Sequence, residues 1–386
     1  MVGEQGARVS DGVVAMPGAQ CVPDARINFA ENLLRKSGPE DAIVFRGEDK
    51  VNRRLSYDQL REEVSRLQQF LLDQGVGEGD RVAAMLPNMP EAVIGMLATS
   101  SIGAVWSSCS PDFGEGGVLD RFGQIEPKIL IVCDGYWYNS KQQDVSKKLE
   151  NILPKLPSLK QVIIVNYLGK ADELAQTLPK AITWRKGMDA FNPVEITFKR
   201  LAFNHPLYIL FSSGTTGIPK CIIHSQGGTL IQHLKELVLH CDVKDGDKFF
   251  YFTTCGWMMW NWMVSALATG ATLMLYDGSP FAPEGNVLFD FAQEEKFTFF
   301  GTSAKYIDAV RNGGFEPANT HDLSNLRMMT STGSPLAPEN FRFVYDKIKP
   351  DLHLAAISGG TDIVACFVGG VPDRPVRIGE IQGALL

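Results

Sequence analysis

Short apolar runs alternate along most of this chain with stretches whose apolar residues recur every three or four positions, the pattern of strands alternating with amphipathic helices. Leu55-Ser-Tyr-Asp58 opens one such helix: a Ser or Asp cap is followed by Leu60, Val64, Leu67 and Leu71 at helical spacing. A strand over 81–86 follows, and Pro90 then starts a helix that runs to about Ser101. Strands are expected over 103–107, 128–132 and 159–165. Residues 166–200 are polar and poorly periodic, which reads as a surface insertion or a linker. From Pro206 the alternation resumes, with strands over 207–211 and 221–224 and a helix over 227–240. Further strands are expected over 249–252, 271–276, 297–300, 326–330 and 352–357. Helices should lie between them over about 258–268, 286–296, about 303–312 and 337–347. This is an α/β pattern, with parallel or mixed sheets covered by helices on both faces. The expected organisation is an irregular leader over 1–26, a first α/β subdomain over 27–200 and a second over 201–386.

Composition narrows the function classes. The 386 residues are 45% hydrophobic and 21% charged, ordinary globular values with room for two or three domains or subdomains. The net charge of −7, with no basic block, argues against nucleic acid as a partner, and an anionic substrate would need a local positive site. The seven cysteines form no CxxC pair, which fits a reduced, cytoplasmic (cytosolic) protein with free thiols. The six histidines show no metal-ligand pattern; His233 and His240, seven apart on a helix, are expected to flank a polar face. The first twenty residues lack a basic start followed by an apolar core, so no secretory signal is read there. From Phe249 to Tyr276 no residue is charged, a length that could span a membrane. Trp257, Trp260 and Trp262 cluster near its middle, however, and Gly256 and Gly270 break it, so strand, loop, buried helix and strand is the preferred reading.

Candidate chemistry concentrates in Ser212-Ser-Gly-Thr-Thr-Gly-Ile-Pro-Lys220, directly after the apolar run Tyr208-Ile-Leu-Phe211. Gly214 and Gly217 can take backbone angles closed to other residues, so that amide groups turn toward one point. Ser212, Ser213, Thr215 and Thr216 add hydroxyls, and Lys220 adds a positive charge. That inventory suits a polyphosphate such as ATP, although the Walker spacing is missing. Taken alone, the segment could equally be a flexible hairpin loop with one exposed lysine. No nucleophile-and-base arrangement can be read from His205, His224 and Cys255.

The order of these nine residues resembles the phosphate loop of the adenylate-forming acyl-CoA synthetases. The resemblance extends from about Ile27 to about Gln382. It is carried also by INFAENLLR at 27–35, GAVWSSCSPDFG at 103–114, HSQGGTLIQHLKE at 224–236, CGWMMWNWM at 255–263, STGSPL at 331–336 and SGGTDI at 358–363. It implies the large N-terminal domain of that superfamily. The implied reaction is AMP-forming ligation of an acid to CoA through an acyl-adenylate, with ATP, Mg²⁺ and CoA as cofactors or substrates. The family's phosphate-contacting residues fall on Lys220, Thr216 and Thr361.

Three motifs have both a family role and a plain one. By the resemblance Gly333, Ser334 and Pro335 line the adenine pocket; by spacing alone they are a strand-to-helix loop with Pro335 near the helix start. By the resemblance Thr361 meets a phosphate and Asp362 holds Mg²⁺, where the family usually has glutamate; by itself Asp362 could cap a turn. The segment 255–263 resembles an acyl-pocket wall, from which Trp257 and Asn261 are taken as pocket residues, while most of its side chains suit core packing. Acetyl-CoA synthetases carry a tryptophan at the position matching Gly359. Glycine there, followed by Gly360, leaves room for a longer acid, so acetoacetate is the expected substrate and another short-chain acid the alternative. The family continues through a further subdomain and a small mobile C-terminal domain without counterparts here. The sequence therefore reads as C-terminally truncated, with an incomplete CoA site; impaired turnover, or a catalytically inactive nucleotide-binding fragment, is a second reading.

Overall fold

The computed structural model describes residues 1–12, 14–15, 18–212 and 217–386. In chain order the main strands are β1 (Asp41–Gly47), β2 (Val51–Ser56), β3 (Arg81–Met85), β4 (Val105–Cys109), β5 (Ile129–Cys133), β6 (Gln161–Val165) and β7 (Ala181–Thr183). They continue as β8 (Pro206–Ser212), β9 (Lys220–Ser225), β10 (Lys248–Tyr251), β11 (Thr272–Asp277), β12 (Phe299–Ser303), β13 (Met328–Thr332) and β14 (His353–Ala356). A small third sheet holds β15 (Ser358–Gly360), β16 (Ala365–Gly369) and β17 (Gly383–Ala384). The principal helices are α1 (Tyr57–Asp73), α2 (Pro90–Ser101), α3 (Glu115–Ile125), α4 (Gln226–Leu234), α5 (Met258–Val264), α6 (Val287–Glu295), α7 (Ala304–Asn312) and α8 (Pro338–Phe343).

Two seven-stranded sheets result, ordered β7-β6-β5-β3-β4-β8-β9 and β14-β13-β12-β10-β11-β1-β2. Each is parallel except at one edge, where β8–β9 and β1–β2 pair as antiparallel hairpins. Alternation along the strands sends neighbouring residues to opposite faces. Val82 and Ala84 of β3, with Phe249 of β10 and Leu273 of β11, join a central core shared by both sheets, filled by α1, α2, α4 and α5. Ala83 and Met85 face the other way, onto Val118 and Phe122 of α3. Phe250 and Met274 turn outward onto Phe289 and Phe291 of α6. The fold is thus five layers, with helices outside, between and outside two sheets.

The expected division near residue 200 does not describe these sheets. Strands β1 and β2, early in the chain, belong to the second sheet, where Ile43 pairs with Leu273. Strands β8 and β9, beyond the expected boundary, belong to the first, where Tyr208 pairs with Trp106. Periodicity reports which face of a strand is buried but not which strand lies beside it. Residues 166–200 also differ from a plain linker: they contain a helix at Ala171–Thr177, the edge strand β7 and a helix at Trp184–Met188. Their last part is tied to α1, where Gln68 Nε2 donates to the Thr197 carbonyl at 2.6 Å.

Helix α1 starts with a capping box. Ser56 Oγ accepts from the Gln59 N–H at 3.1 Å, and Gln59 Oε1 accepts from the Ser56 N–H at 2.9 Å. Because α1 covers the shared core, Ser56→Ala is expected to lower unfolding free energy by about 1 kcal/mol; urea unfolding of both proteins checks this. The uncharged stretch from Phe249 to Tyr276 folds as β10, α5, a 3₁₀ turn at Ser265–Thr269 and β11. Among the described residues no helix is long and apolar enough to cross a membrane.

Candidate functional site

The hairpin β8–β9 brings Ser212 opposite Lys220 and Phe211 opposite Cys221. The loop that it closes contains Ser213, Gly214, Thr215 and Thr216, which lie outside the described residues. Gly217 has φ of +96°, in the left-handed region that favours glycine. Lys220 stands exposed at the head of β9. Helix α3 backs the loop: Gln124 Nε2 donates to the Pro219 carbonyl at 3.0 Å.

Ser212 lies on the wall of a crevice of about 400 Å³. The crevice also takes Trp257, Met259, Thr332, Gly333, Gly360 and Thr361 from segments far apart in sequence. An adjoining cavity of about 400 Å³ is lined by Gly333, Ser334 and Pro335 and shares Thr332, Gly333 and Gly359 with the first. Both open at the carboxyl ends of parallel strands, where open α/β sheets present ligand sites. Pro335 lies in this loop rather than at the helix start; Pro338 occupies the first helical position of α8.

SGGTDI forms the tip of the β15–β16 hairpin, with Gly360 opposite Ala365 and Gly359 opposite Cys366. Thr361–Ile363 make a 3₁₀ turn between the strands. Thr361 lines the crevice, and the Asp362 carboxylate is exposed at the turn. Magnesium usually takes one or two carboxylates and completes its octahedron with substrate phosphates and water. A single exposed carboxylate, next in the chain to Thr361 on the crevice wall, fits that habit. Among the described residues no group of three or more His, Cys, Asp or Glu could form a cage of its own.

The two glycines are not equivalent. A Cβ added at Gly359 would lie 2.0 Å from the Ala365 carbonyl oxygen, inside the facing strand. At Gly360 an added Cβ would meet nothing within 4 Å. The space expected from Gly359 is therefore provided at Gly360, while Gly359 is required for close approach of β15 to β16.

Trp257 stands at the crevice mouth, 54% exposed. Asn261, expected beside it, is fully buried and does not line the crevice. The reason is local. Trp257 is the cap of α5, with extended backbone angles of −111° and 144°, so the i to i+4 relation of a helix face does not link it to Asn261. Met258 and Met259 face the crevice instead. Trp260 donates to Asn88 Oδ1 at 3.0 Å and Trp262 to Glu236 Oε2 at 2.8 Å, so both are core residues. Neither amide atom of Asn261 has a hydrogen-bond partner among the described residues. Replacing a buried unpaired amide by an apolar group of similar size removes a desolvation cost of about 1–3 kcal/mol. Asn261→Leu is expected to unfold at higher denaturant concentration than the parent with ligand binding unchanged, measured by chemical unfolding and calorimetric titration.

Arg121 and Cys366 are among the lining residues that sequence reading did not single out. Arg121 of α3 reaches the crevice with its guanidinium 4.7 Å from the Phe113 ring centroid and 5.6 Å from that of Phe211. No motif flags it; the only signal was a cation one helix after 103–114. Cys366 contributes from β16, and burial pushes its thiol up to about 12, which leaves it neutral and unsuited to nucleophilic attack. Cys255 is likewise raised by burial, and burial lowers the His224 imidazole. All seven thiols are free. His233 and His240, expected on a polar face, are instead buried and bonded to backbone.

Residues 31–381 match the AMP-binding enzyme family. The chain belongs to that family. Among relatives of this AMP-binding chain, the acetoacetyl-coenzyme A synthetase of Rhizobium meliloti is 63% identical over 383 residues, covering 99% of this chain and 59% of that protein. The acetoacetyl-CoA synthetase of Xenopus tropicalis is 43% identical, covering 97% and 56%. The solved acetoacetyl-CoA synthetase from Streptomyces lividans superposes with a TM-score of 0.93 at 44% identity, over 98% of this chain and 58% of that one. The AMP-binding chain thus spans somewhat over half the length of the relatives that it matches.

Proposed function

We propose that this chain supplies the nucleotide and acid sites of an ATP-dependent acid–thiol ligase that makes acetoacetyl-CoA from acetoacetate and CoA. The observation that carries the reading is the meeting of Ser212, Trp257 to Met259, Gly360 and Thr361 with Gly333 to Pro335 around two adjoining cavities, with Lys220 opposite Ser212 in the ladder and Asp362 next to Thr361. A loop rich in hydroxyls ending in a lysine suits the polyphosphate, the adjoining cavity suits the adenine, and the wall of Trp257, Met258 and Met259 suits a short acyl chain.

In the first step the acid's carboxylate oxygen attacks the α-phosphorus of ATP; the bond to the bridging oxygen breaks and pyrophosphate leaves. In the second, the CoA thiolate attacks the acyl carbon and AMP departs. The first step needs orientation and charge neutralisation rather than a protein nucleophile. Lys220 neutralises charge on the phosphates, Ser212 and Thr361 orient them by hydrogen bonds, and Thr216 and its neighbours in the loop share that role. Mg²⁺ held by Asp362 would neutralise further phosphate charge. Arg121, at the acid end of the crevice, adds positive potential for the incoming carboxylate. Free, unpaired thiols support a reducing, cytosolic setting. The reading is tested by pyrophosphate release from Mg·ATP across acetate, propionate, butyrate and acetoacetate: release greatest with acetoacetate supports it, and release greatest with acetate overturns the substrate assignment.

A further inference from the structure

The turn that carries Thr361 and Asp362 is held in an unfavourable shape. Val364, two residues beyond Asp362, has φ of 53° and ψ of 31°. A β-branched side chain in the left-handed region is a true outlier, sustained only when its surroundings impose it. What imposes it lies behind the hairpin. Helix α4 runs into a π-helical turn at Lys235–His240, a feature that concentrates at functional sites. His233, Glu236 and His240 on this segment are all buried, at 0%, 2% and 7% exposure, and each bonds the backbone of residues 364–370.

His233 Nε2 donates to the Val364 carbonyl at 2.8 Å, and its Nδ1 lies 2.7 Å from Ser265 Oγ, which donates to it. Glu236 Oε1 accepts from the Cys366 N–H at 2.8 Å, and its Oε2 accepts from the Trp262 indole at 2.8 Å. His240 Nδ1 donates to the Gly370 carbonyl at 2.9 Å. Three buried side chains thus hold the peptide groups of Val364, Cys366 and Gly370, within β16 and at its two ends, groups that would otherwise be buried without a partner. The grip starts at the strained residue.

We infer that His233 and Glu236 are positioning residues: through Val364 and Cys366 they hold the left-handed turn that presents Thr361 to the crevice and Asp362 beside it. This rests on the proposed reading of Thr361 and Asp362 as the phosphate-facing and metal-facing groups. Neither His233 nor Glu236 touches the ligand; they act by fixing the backbone that does.

The test uses two substitutions that keep a buried amide. His233→Gln places its amide nitrogen near the Nε2 position and can still donate to Val364. His233→Asn reaches only toward Ser265 and loses Val364. His233→Asn is expected to weaken Mg·ATP binding about tenfold, the equivalent of one good hydrogen bond, while His233→Gln stays near the parent, both measured by calorimetric titration of the full 386-residue chain. Adding Val364→Gly to His233→Asn should restore affinity, because glycine holds a positive φ without a bond to pin it. Equal affinity for Asn and Gln variants, or no recovery with Val364→Gly, overturns the inference, since a merely structural role would lower the unfolding temperature without this selective loss and rescue. Amide exchange across 364–369 reads the same point without ligand: it should quicken in His233→Asn and not in His233→Gln, and equal rates in the two variants overturn the inference. Failure of the parent chain to bind Mg·ATP would count against the nucleotide reading, leaving the exchange result to judge the grip.

Discussion

Lys220→Ala is expected to slow acid-dependent pyrophosphate release by about 10² to 10³, the range seen when one group that stabilises transition-state charge is removed. Lys220 is exposed at the head of β9, held opposite Ser212 by the ladder, so its position comes from backbone pairing rather than from side-chain packing. Its loss should therefore leave folding nearly unchanged. On the proposed reaction, charge accumulates on the phosphates as the carboxylate attacks and pyrophosphate leaves, and the ammonium of Lys220, whose ladder partner Ser212 lines the crevice, would meet it. The measurement is pyrophosphate release at saturating Mg·ATP and acetoacetate, with thermal unfolding as the control. An unchanged rate in a folded Lys220→Ala protein would remove the lysine from the account.

The second large effect separates two adjacent glycines. Gly360→Trp is expected to cut use of acetoacetate by at least about 100-fold while sparing acetate, because even one methylene in an apolar pocket is worth about 10- to 200-fold. The direction at Gly360 is open, with nothing within 4 Å of an added Cβ, and Gly360 lines the crevice, so a large side chain there is expected to take up crevice space. Gly359→Ala should behave in the opposite way. Its Cβ would sit 2.0 Å from the Ala365 carbonyl oxygen, so β15 must move from β16, an overpacking that costs about 1–3 kcal/mol. Steady-state kinetics on acetate and acetoacetate, beside chemical unfolding, distinguishes a change of specificity from a loss of stability. A Gly360→Trp protein that still prefers acetoacetate would show that the crevice is not the acyl site.

Local chemistry was legible in the sequence wherever one residue decides the backbone. Pro90 starts α2 and the helix ends at Ser101, as a proline at the first helical position and the apolar run foretell. Ser56 caps α1, and Tyr208–Phe211 is a buried strand leading into the glycine-rich loop. The order of strands in the sheets was not legible, because β1 pairs with β11 through contacts distant in sequence and nothing in either strand names its neighbour. The same limit explains the site. The seven-residue spacing of His233 and His240 suggested a polar face, yet both are buried and their partners are the peptide groups of Val364 and Gly370, which no side-chain pattern announces. The resemblance of 255–263 to an acyl-pocket wall points to Asn261 as a pocket residue, but Trp257 is the extended cap of α5 and Asn261, inside the helix, is fully buried away from the crevice.

The most direct test of the proposed site is calorimetric titration of the chain with Mg·ATP, with and without acetoacetate, for the parent and Lys220→Ala. One crevice shared by nucleotide and acid predicts Mg·ATP binding that acetoacetate strengthens in the parent and that Lys220→Ala greatly weakens. Mg·ATP binding that is indifferent both to acetoacetate and to Lys220 would contradict it.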